Sequence, residues 1–186
     1  MTPQDYVARY LEQSHEVIHA LDQSALVAMI DELARLRQRG GRVFILGVGG
    51  SAANASHAVN DLRKIAGIES YAPTDNVAEL TARTNDDGWE TTFVEWLKTS
   101  RLDPDDALLI LSVGGGSAGT SGNLVCALEY AEQVGAKILG IVSRSGGKTR
   151  ECADVCVMIP PQADDTITPL AESFQALVWH CVVNAL

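Results

Sequence analysis

The sequence predicts an α/β protein with a doubly wound parallel sheet, preceded by a helical arm. Apolar runs rich in branched side chains recur at residues 43–46, 107–111, 137–142 and 155–159, as is typical of strands buried on both faces. Glycine and serine follow each of the first three runs, and a helical pattern comes next. This alternation implies parallel strands joined by right-handed connections.

Composition and charge narrow the classes of function. The chain has 186 residues, 46% hydrophobic and 20% charged, which suits a single domain with an arm over residues 1–40 and an α/β core over 41–186. The net charge of −10 disfavours nucleic-acid binding, but backbone dipoles can still hold a small phosphorylated substrate. No apolar run approaches the ~18 residues of a membrane span, and we see no signal peptide. We therefore expect a cytoplasmic protein without membrane partners, whose four cysteines, which lack CxxC spacing, are reduced.

The arm reads as two helices over residues 3–39, which end at Gly40 and Gly41. Because it precedes the first strand and has little of the sheet to cover, we expect it to pack against another subunit. His15 and His19 lie four apart in the first helix and are either a metal pair or a solvated pair. The absence of a third ligand nearby in the sequence favours the solvated pair.

The first glycine loop follows the first strand. Gly49 and Gly50 allow the backbone to approach a ligand, and Ser51 is a natural N-cap at a helix start that favours an anion. The loop lacks the Walker lysine and the third glycine of a dinucleotide fingerprint, so a tight connection is the alternative. His57 and Asp61, four residues apart, share one face of the helix that follows.

The middle of the chain carries shorter elements. Residues 70–72 suggest a short strand, residues 74–76 cap a helix through about Arg83, and residues 89–100 read as another helix. Asn85 and Asp86 fall between these helices, in a segment whose composition is that of a turn.

A second glycine-serine loop follows the strand at residues 107–111. Its hydroxyl side chains can donate to phosphate oxygens, and ligands of open α/β sheets bind at the carboxyl ends of strands. A long flexible loop is the alternative. The candidate phosphate-binding residues are Ser112, Ser117, Thr120 and Ser121.

The final segment predicts a helix that begins with Thr168 as N-cap and Pro169 at the first helical position. Glu172 and His180 lie about 80° apart around this helix and about 12 Å apart along it. Both must therefore lean inward to reach one ligand.

These motifs together resemble the SIS (sugar isomerase) domain as found in phosphoheptose isomerases. The resemblance rests on residues 47–51, on His57-x-x-x-Asp61, on Asn85-Asp86, and on Glu172 followed after seven residues by His180. It covers nearly the whole chain. Such enzymes interconvert sedoheptulose 7-phosphate and D-glycero-D-manno-heptose 7-phosphate, so the resemblance implies a sugar phosphate substrate and a homotetramer.

The resemblance also implies a zinc site formed by His57, Asp61, Glu172 and His180, with Asn85, Asp86 and Glu172 near the substrate. Asp61 stands where the family often has a longer Glu. The family's phosphate loop resembles Ser-Thr-Ser-Gly-Asn-Ser, but here only Ser112 and Ser117 match its ends, and about five residues look inserted. Which hydroxyls hold phosphate therefore stays open.

Two hypotheses of different classes follow. Aldose–ketose isomerisation through an enediol needs a general base and acid, for which His180 and then Asp61 are the best-suited residues. The alternative is a non-catalytic SIS module that binds a sugar phosphate or a protein partner, such as a replication initiator, as a regulator. The complete set of histidines and carboxylates favours the enzyme.

Overall fold

The sheet has five parallel strands in the order β2-β1-β3-β4-β5. The protein is described by a computed structural model that covers residues 1–117 and 119–186. The predicted doubly wound parallel sheet is confirmed. The strands are β1 (Val43–Leu46), β2 (Ser70–Tyr71), β3 (Ala107–Ser112), β4 (Lys137–Val142) and β5 (Val155–Met158).

Helices pack on both faces of the sheet. The helices are α1 (Pro3–Ala20), α2 (Gln23–Arg39), α3 (Gly50–Lys64), α4 (Val77–Asp86), α5 (Thr92–Thr99), α6 (Gly122–Val134), α7 (Gly147–Cys152) and α8 (Ile167–Ala185). The first face carries α2, α3 and α8, and the second carries α5, α6 and α7. Among the described residues, no helix combines the length and apolar character that a membrane span requires.

The strands are buried on both sides, as their unbroken apolar runs predict. In β1, Val43 and Ile45 join the core under the first face, and Phe44 and Leu46 join the core under the second. Successive strand residues point to opposite faces, so four residues supply two separate cores.

The two helices of the arm are confirmed, but the expectation that they have little of the sheet to cover is wrong for α2. Met29 and Leu33 of α2 are buried in the first core, and α2 contacts the edge strand β5. The reason is that α3 covers β1 and α8 covers β3 and β4, which leaves β5 for α2. By contrast, α1 buries Val17 alone and exposes Val7 and Leu11.

Two predicted helix starts are wrong by about half a turn. The cap position of α3 is Gly49, with a φ of 62°, so Ser51 lies inside the first turn and makes no capping hydrogen bond. The cap position of α8 is Thr166, and Thr168 is already helical. Proline is tolerated throughout the first turn of a helix, because the N–H groups there have no helical partner. The position of Pro169 therefore does not determine the residue at which α8 begins.

Between β2 and β3, the first helix is longer than predicted and the second is shorter. The helix α4 continues to Asp86, so Asn85 and Asp86 belong to its last turn, and the turn begins at Asp87. The next helix, α5, begins at Thr92 instead of Trp89. Side-chain hydrogen bonds from Thr91 and Thr92 to the Gly88 carbonyl hold the intervening turn.

The topology opens a crevice at the carboxyl ends of β1 and β3. The chain leaves β1 for α3 on the first face and leaves β3 for α6 on the second, so the two connections diverge. In an open α/β sheet this is the switch point at which ligands bind.

Candidate active site

A pocket of about 610 Å³ lies in this crevice. The segments that follow β1, β3 and β4 form three of its walls, and the first turns of α8 close the fourth. The pocket is lined by Val48, Ser51, Ser112, Val113, Gly114, Ser117, Thr120, Ser121, Arg144, Ser145, Gly147, Thr168 and Glu172. It thus brings together all the hydroxyl residues that the sequence suggested for phosphate binding.

Ser51 carries a hydroxyl without a partner. The residue is 2% exposed, and its Oγ forms no hydrogen bond with any described residue. A buried hydroxyl normally has a partner. Since Ser51 lines the pocket in the first turn of α3, where N–H groups are also free, an anion in the pocket would satisfy it.

The loop over residues 112–121 is held by its own hydrogen bonds. The Ser112 Oγ accepts from the Gly115 N–H at 3.0 Å, and Ser117 and Thr120 exchange backbone hydrogen bonds of 2.9 and 3.2 Å. Ser121 has a left-handed backbone with a φ of 60°, and its hydroxyl does not cap α6. The hydroxyl protons of these residues are therefore available to a ligand.

Glu172 lies across the start of α3. Its carboxylate rests on the Cα of Gly50, where an added Cβ would overlap it. Gly49 and Gly50 are exposed at this helix start. The Asn54 amide donates to the Glu172 carbonyl at 2.8 Å and to the Gln175 side chain at 3.1 Å, which ties α3 to α8.

About two turns further along the same two helices, His57, Asp61 and His180 meet. Each offers one ligand atom, and these atoms lie within 4.8 Å of one another. The Asp61 Oδ2 lies 3.8 Å from His57 Nε2 and 3.7 Å from His180 Nε2. Asp61 is buried, whereas both imidazoles are about half exposed.

Hydrogen bonds fix which atoms face inward in this cluster. The His180 Nδ1 lies 2.8 Å from the Ala176 carbonyl, which can only accept, so Nδ1 carries the proton and the neutral ring presents a lone pair at Nε2. The Asp61 Oδ1 accepts from the Asn60 amide at 2.8 Å, which leaves Oδ2 free. Trp179 packs against both imidazoles and restrains them. The Asp61 Oδ2 and the His180 Nε2 lone pair therefore face each other across a gap too long for a direct hydrogen bond, with His57 Nε2 beside them.

Comparisons with known proteins agree with this geometry. The SIS domain family matches residues 5–143 of the chain. The chain belongs to the SIS domain family. The sequence resemblance is thereby confirmed.

Relatives at about one-third identity include a protein named as an isomerase and one named for antibiotic biosynthesis. The phosphoheptose isomerase of Geotalea daltonii is 33% identical, over 87% of this chain and 82% of its own. The lincomycin biosynthesis protein LmbN of Streptomyces lincolnensis is 32% identical, over 99% of this chain and 70% of its own.

Solved structures share the fold. The phosphoheptose isomerase GmhA from Neisseria gonorrhoeae superposes with a TM-score of 0.87 at 22% identity, covering 99% of each chain. A phosphoheptose isomerase from Francisella tularensis gives 0.85 at 25% identity, covering 99% of this chain and 97% of its own.

The cluster of this SIS domain fits a zinc ion. Ligand atoms that surround a tetrahedral zinc at about 2 Å lie about 3.3 Å apart, whereas here two gaps are 3.7 and 3.8 Å and all three atoms lie within 4.8 Å of one another, so side-chain shifts of about 1.5 Å or less would bring them to a zinc ion. Two imidazoles and one carboxylate are also a ligand set typical of catalytic zinc, which keeps a fourth position for substrate. Binding would satisfy the converging lone pairs.

Two groups of predicted site residues lie away from the cluster in this SIS domain. Glu172 is in the pocket because eight residues of helix separate it from His180, and its position favours a role in substrate binding over one in metal binding. Asn85 and Asp86 are exposed at the end of α4, where the Asn85 amide donates to the Asp86 carboxylate at 2.7 Å. Neither of these two residues lines the pocket.

Sequence reasoning missed three polar residues of the pocket, Arg144, Ser145 and Thr168. A signal for the first two was present, because residues 143–147 follow a buried strand, as the two recognised loops do, but the sequence analysis assigned them no ligand. Thr168 was assigned to helix capping alone.

Proposed function

We propose that this protein is a phosphosugar aldose–ketose isomerase that interconverts sedoheptulose 7-phosphate and D-glycero-D-manno-heptose 7-phosphate. One observation supports it most strongly: α3 and α8 each contribute to both the hydroxyl-lined pocket and the polar cluster. Ser51 and Glu172 lie at one end of this helix pair, and Asp61 and His180 lie between two and three turns away. Relatives named phosphoheptose isomerase, with similarity over most of both chains, support the same reaction.

The two ends have separate tasks in this proposal. The pocket holds the phosphate, whose binding energy orients the reacting carbons. Eight to ten residues of helix correspond to about 12–15 Å, so an open-chain sugar phosphate must extend along the groove to reach the cluster. A long carbon chain suits that distance better than a short one.

Asp61 and His180 carry the proton transfers in this proposal. A base removes the proton from the hydroxyl-bearing carbon next to the carbonyl, which gives an enediol, and returns it to the neighbouring carbon. A second proton passes between the two oxygens. Asp61 can accept at Oδ2, and His180 can exchange a proton at Nε2 while Nδ1 stays bonded to Ala176.

Zinc is part of the proposal as a cofactor held by His57, Asp61 and His180. When bound there, it would polarise the sugar carbonyl and favour the enediolate. A zinc ion there would occupy Asp61 Oδ2 and His180 Nε2, so these atoms carry the protons in the metal-free site, and Glu172 is the carboxylate of the pocket left for proton transfer when zinc is bound.

The same proposal includes one SIS domain over residues 1–186, a homotetramer and a cytoplasmic location. Val7, Leu11 and Ile18 expose apolar area on α1 that a neighbouring subunit could cover. All four cysteines are free thiols, as expected in a reducing compartment.

A non-catalytic sugar-phosphate module is not favoured, because simple binding gives no reason to gather two histidines and a carboxylate beyond the pocket.

Exchange of the C1 proton in D₂O, measured with C5 to C7 ketose phosphates, tests the activity. We expect exchange to be fastest with sedoheptulose 7-phosphate and His180→Ala to lower kcat by about 10²–10⁴, the usual contribution of acid–base catalysis. His15→Ala removes an exposed histidine from α1 and should leave kcat unchanged. No exchange with any ketose phosphate by zinc-loaded protein, or full turnover by the His180 variant, would contradict the proposal.

A further inference from the structure

Arg144 is the one cation among the described residues that line the pocket. Its side chain forms no hydrogen bond or ion pair with any described residue, whereas Arg42 and Arg83 are engaged with Asp106 and Glu79. On a chain with a net charge of −10, a guanidinium that no described carboxylate neutralises is available to an anion in the pocket.

The backbone at Arg144 is in the left-handed region, with a φ of 49°. A residue with a side chain adopts this conformation at a cost of about 1–3 kcal/mol and keeps it only where the surrounding structure imposes it. Ser121, in the loop after β3 that also lines the pocket, has a φ of 60°. Two residues with side chains thus have a positive φ in the lining of one pocket. Strained backbone conformations of this kind are more frequent at ligand-binding sites than elsewhere.

The loop that carries Arg144 is fixed to the glycine-serine loop that follows β3, which begins at Ser112 and ends at Ser121. Gly115 approaches Gly146 so closely that an added Cβ would overlap the Gly146 carbonyl oxygen. Thr149 donates to the Gly115 carbonyl twice, from its N–H at 3.0 Å and from its Oγ1 at 2.7 Å. The Ser143 N–H donates to the Val113 carbonyl at 3.2 Å. The two loops therefore form one platform, and Arg144 keeps its place relative to the hydroxyls.

The charge balance of the pocket indicates why a phosphate group would need this cation. Serine and threonine hydroxyls are neutral donors. Among the described residues that line the pocket, the charged ones are Arg144 and Glu172. A phosphate monoester is close to a dianion at pH 7, and Glu172 opposes its entry. A guanidinium compensates this repulsion and binds two phosphate oxygens through a planar fork, which hydroxyls cannot do.

We infer that Arg144 is the cationic contact of the substrate phosphate and makes this site select phosphorylated over free sugars. This inference rests on the proposed function only in taking the anion to be a sugar phosphate. The platform and its charge apply to any phosphate group in the pocket.

Calorimetric binding of inorganic phosphate tests the inference without any need for turnover. We expect Arg144→Gln to raise the dissociation constant of phosphate at least tenfold and Arg144→Lys to raise it less, because lysine keeps the charge but lacks the fork. Arg101→Gln is the matched control: Arg101 is also exposed, has a φ of 55° and lies outside the pocket. It should bind phosphate within twofold of the unmodified protein.

Isomerase kinetics give a second, separate readout. With sedoheptulose 7-phosphate, Arg144→Gln should raise KM at least tenfold and change kcat less than threefold, as loss of uniform binding does. Phosphate binding that is equal in the Arg144→Gln and Arg101→Gln variants, or no saturable phosphate binding by the unmodified protein, would overturn the inference. Phosphate binding that depends on Arg144, in a protein that isomerises no sugar, would support it while removing the proposed function.

Discussion

At the scale of single residues, the polar cluster shows how few groups decide the chemistry. Asp61 is buried and its Oδ2 faces two imidazole nitrogens at 3.7 and 3.8 Å. A cation placed between them would remove the repulsion of their lone pairs. The His57 side chain is 56% exposed, so it contributes little to the core and is free to serve as a ligand.

His57→Ala should therefore lower zinc affinity at least tenfold while changing the free energy of unfolding by less than about 0.5 kcal/mol. Competition with a chromophoric chelator on metal-stripped protein measures the affinity, and urea unfolding measures the stability. His19→Ala is the control, since His19 and His15 form another histidine pair four residues apart, with their Nε2 atoms at 3.2 Å. If His19→Ala abolished zinc binding and His57→Ala did not, the metal would lie on α1 instead.

Residues of the candidate site could be predicted where a short sequence motif marks them, and could not where their position depends on contacts between distant segments. The i, i+4 spacing of His57 and Asp61 and the serines after strands are local patterns, and the structure gathers them. The position of Glu172 depends on how far α8 runs along α3, and that of Arg144 depends on two loops in contact. These are tertiary relationships that one sequence does not encode in any short motif.

At the scale of elements, the contact between the two loops, after β3 and after β4, leaves no room for an added side chain. Gly115 has a φ of 72° and no room for a Cβ beside Gly146. Gly115→Ala should lower the free energy of unfolding by about 2 kcal/mol or more, because it adds backbone strain to a steric overlap.

Gly119→Ala is the matched control for this loop prediction. It lies in the same loop, has open space around its Cα and should change stability by less than about 0.5 kcal/mol. Chemical denaturation of both variants provides the measurement. Equal stability of the two would mean that the loops are not locked together.

Element boundaries were less predictable than the elements themselves. The strands and helices follow from apolar periodicity, which extends over many residues. A helix start depends on one backbone conformation, and Gly49 takes the left-handed turn at a place where the serine two residues later has the better capping side chain. Similarly, α4 continues through Asn85 and Asp86 despite their turn composition, because helix propensity is only a weak local preference.

At the scale of the whole molecule, the surface of α1 is the feature that remains uncovered. Its capping box at Thr2 and Asp5 fixes the helix start, yet Val17 is its only buried residue. Within its own subunit, α1 is held by Val17, by Tyr10 packed against the first core and by an ion pair between Arg9 and Asp165, and it leaves Val7, Leu11 and Ile18 exposed. The sequence predicted a partner for the whole arm, but the structure leaves that requirement to α1, since α2 already packs on β5.

Leu11 is 63% exposed on α1, and we expect it to lie in the interface of the proposed tetramer. Leu11→Glu would place a charge in a surface that becomes buried, which costs several kcal/mol without a partner. Sedimentation equilibrium should then show a mass well below four times the 19.9 kDa of the chain, whereas the unmodified protein should show the tetramer. Val77→Glu changes an even more exposed side chain, at the start of α4, and should leave the mass unchanged. An unmodified protein of about 19.9 kDa at micromolar concentration, or a Leu11 variant that remains tetrameric, would show that α1 does not hold the subunits together.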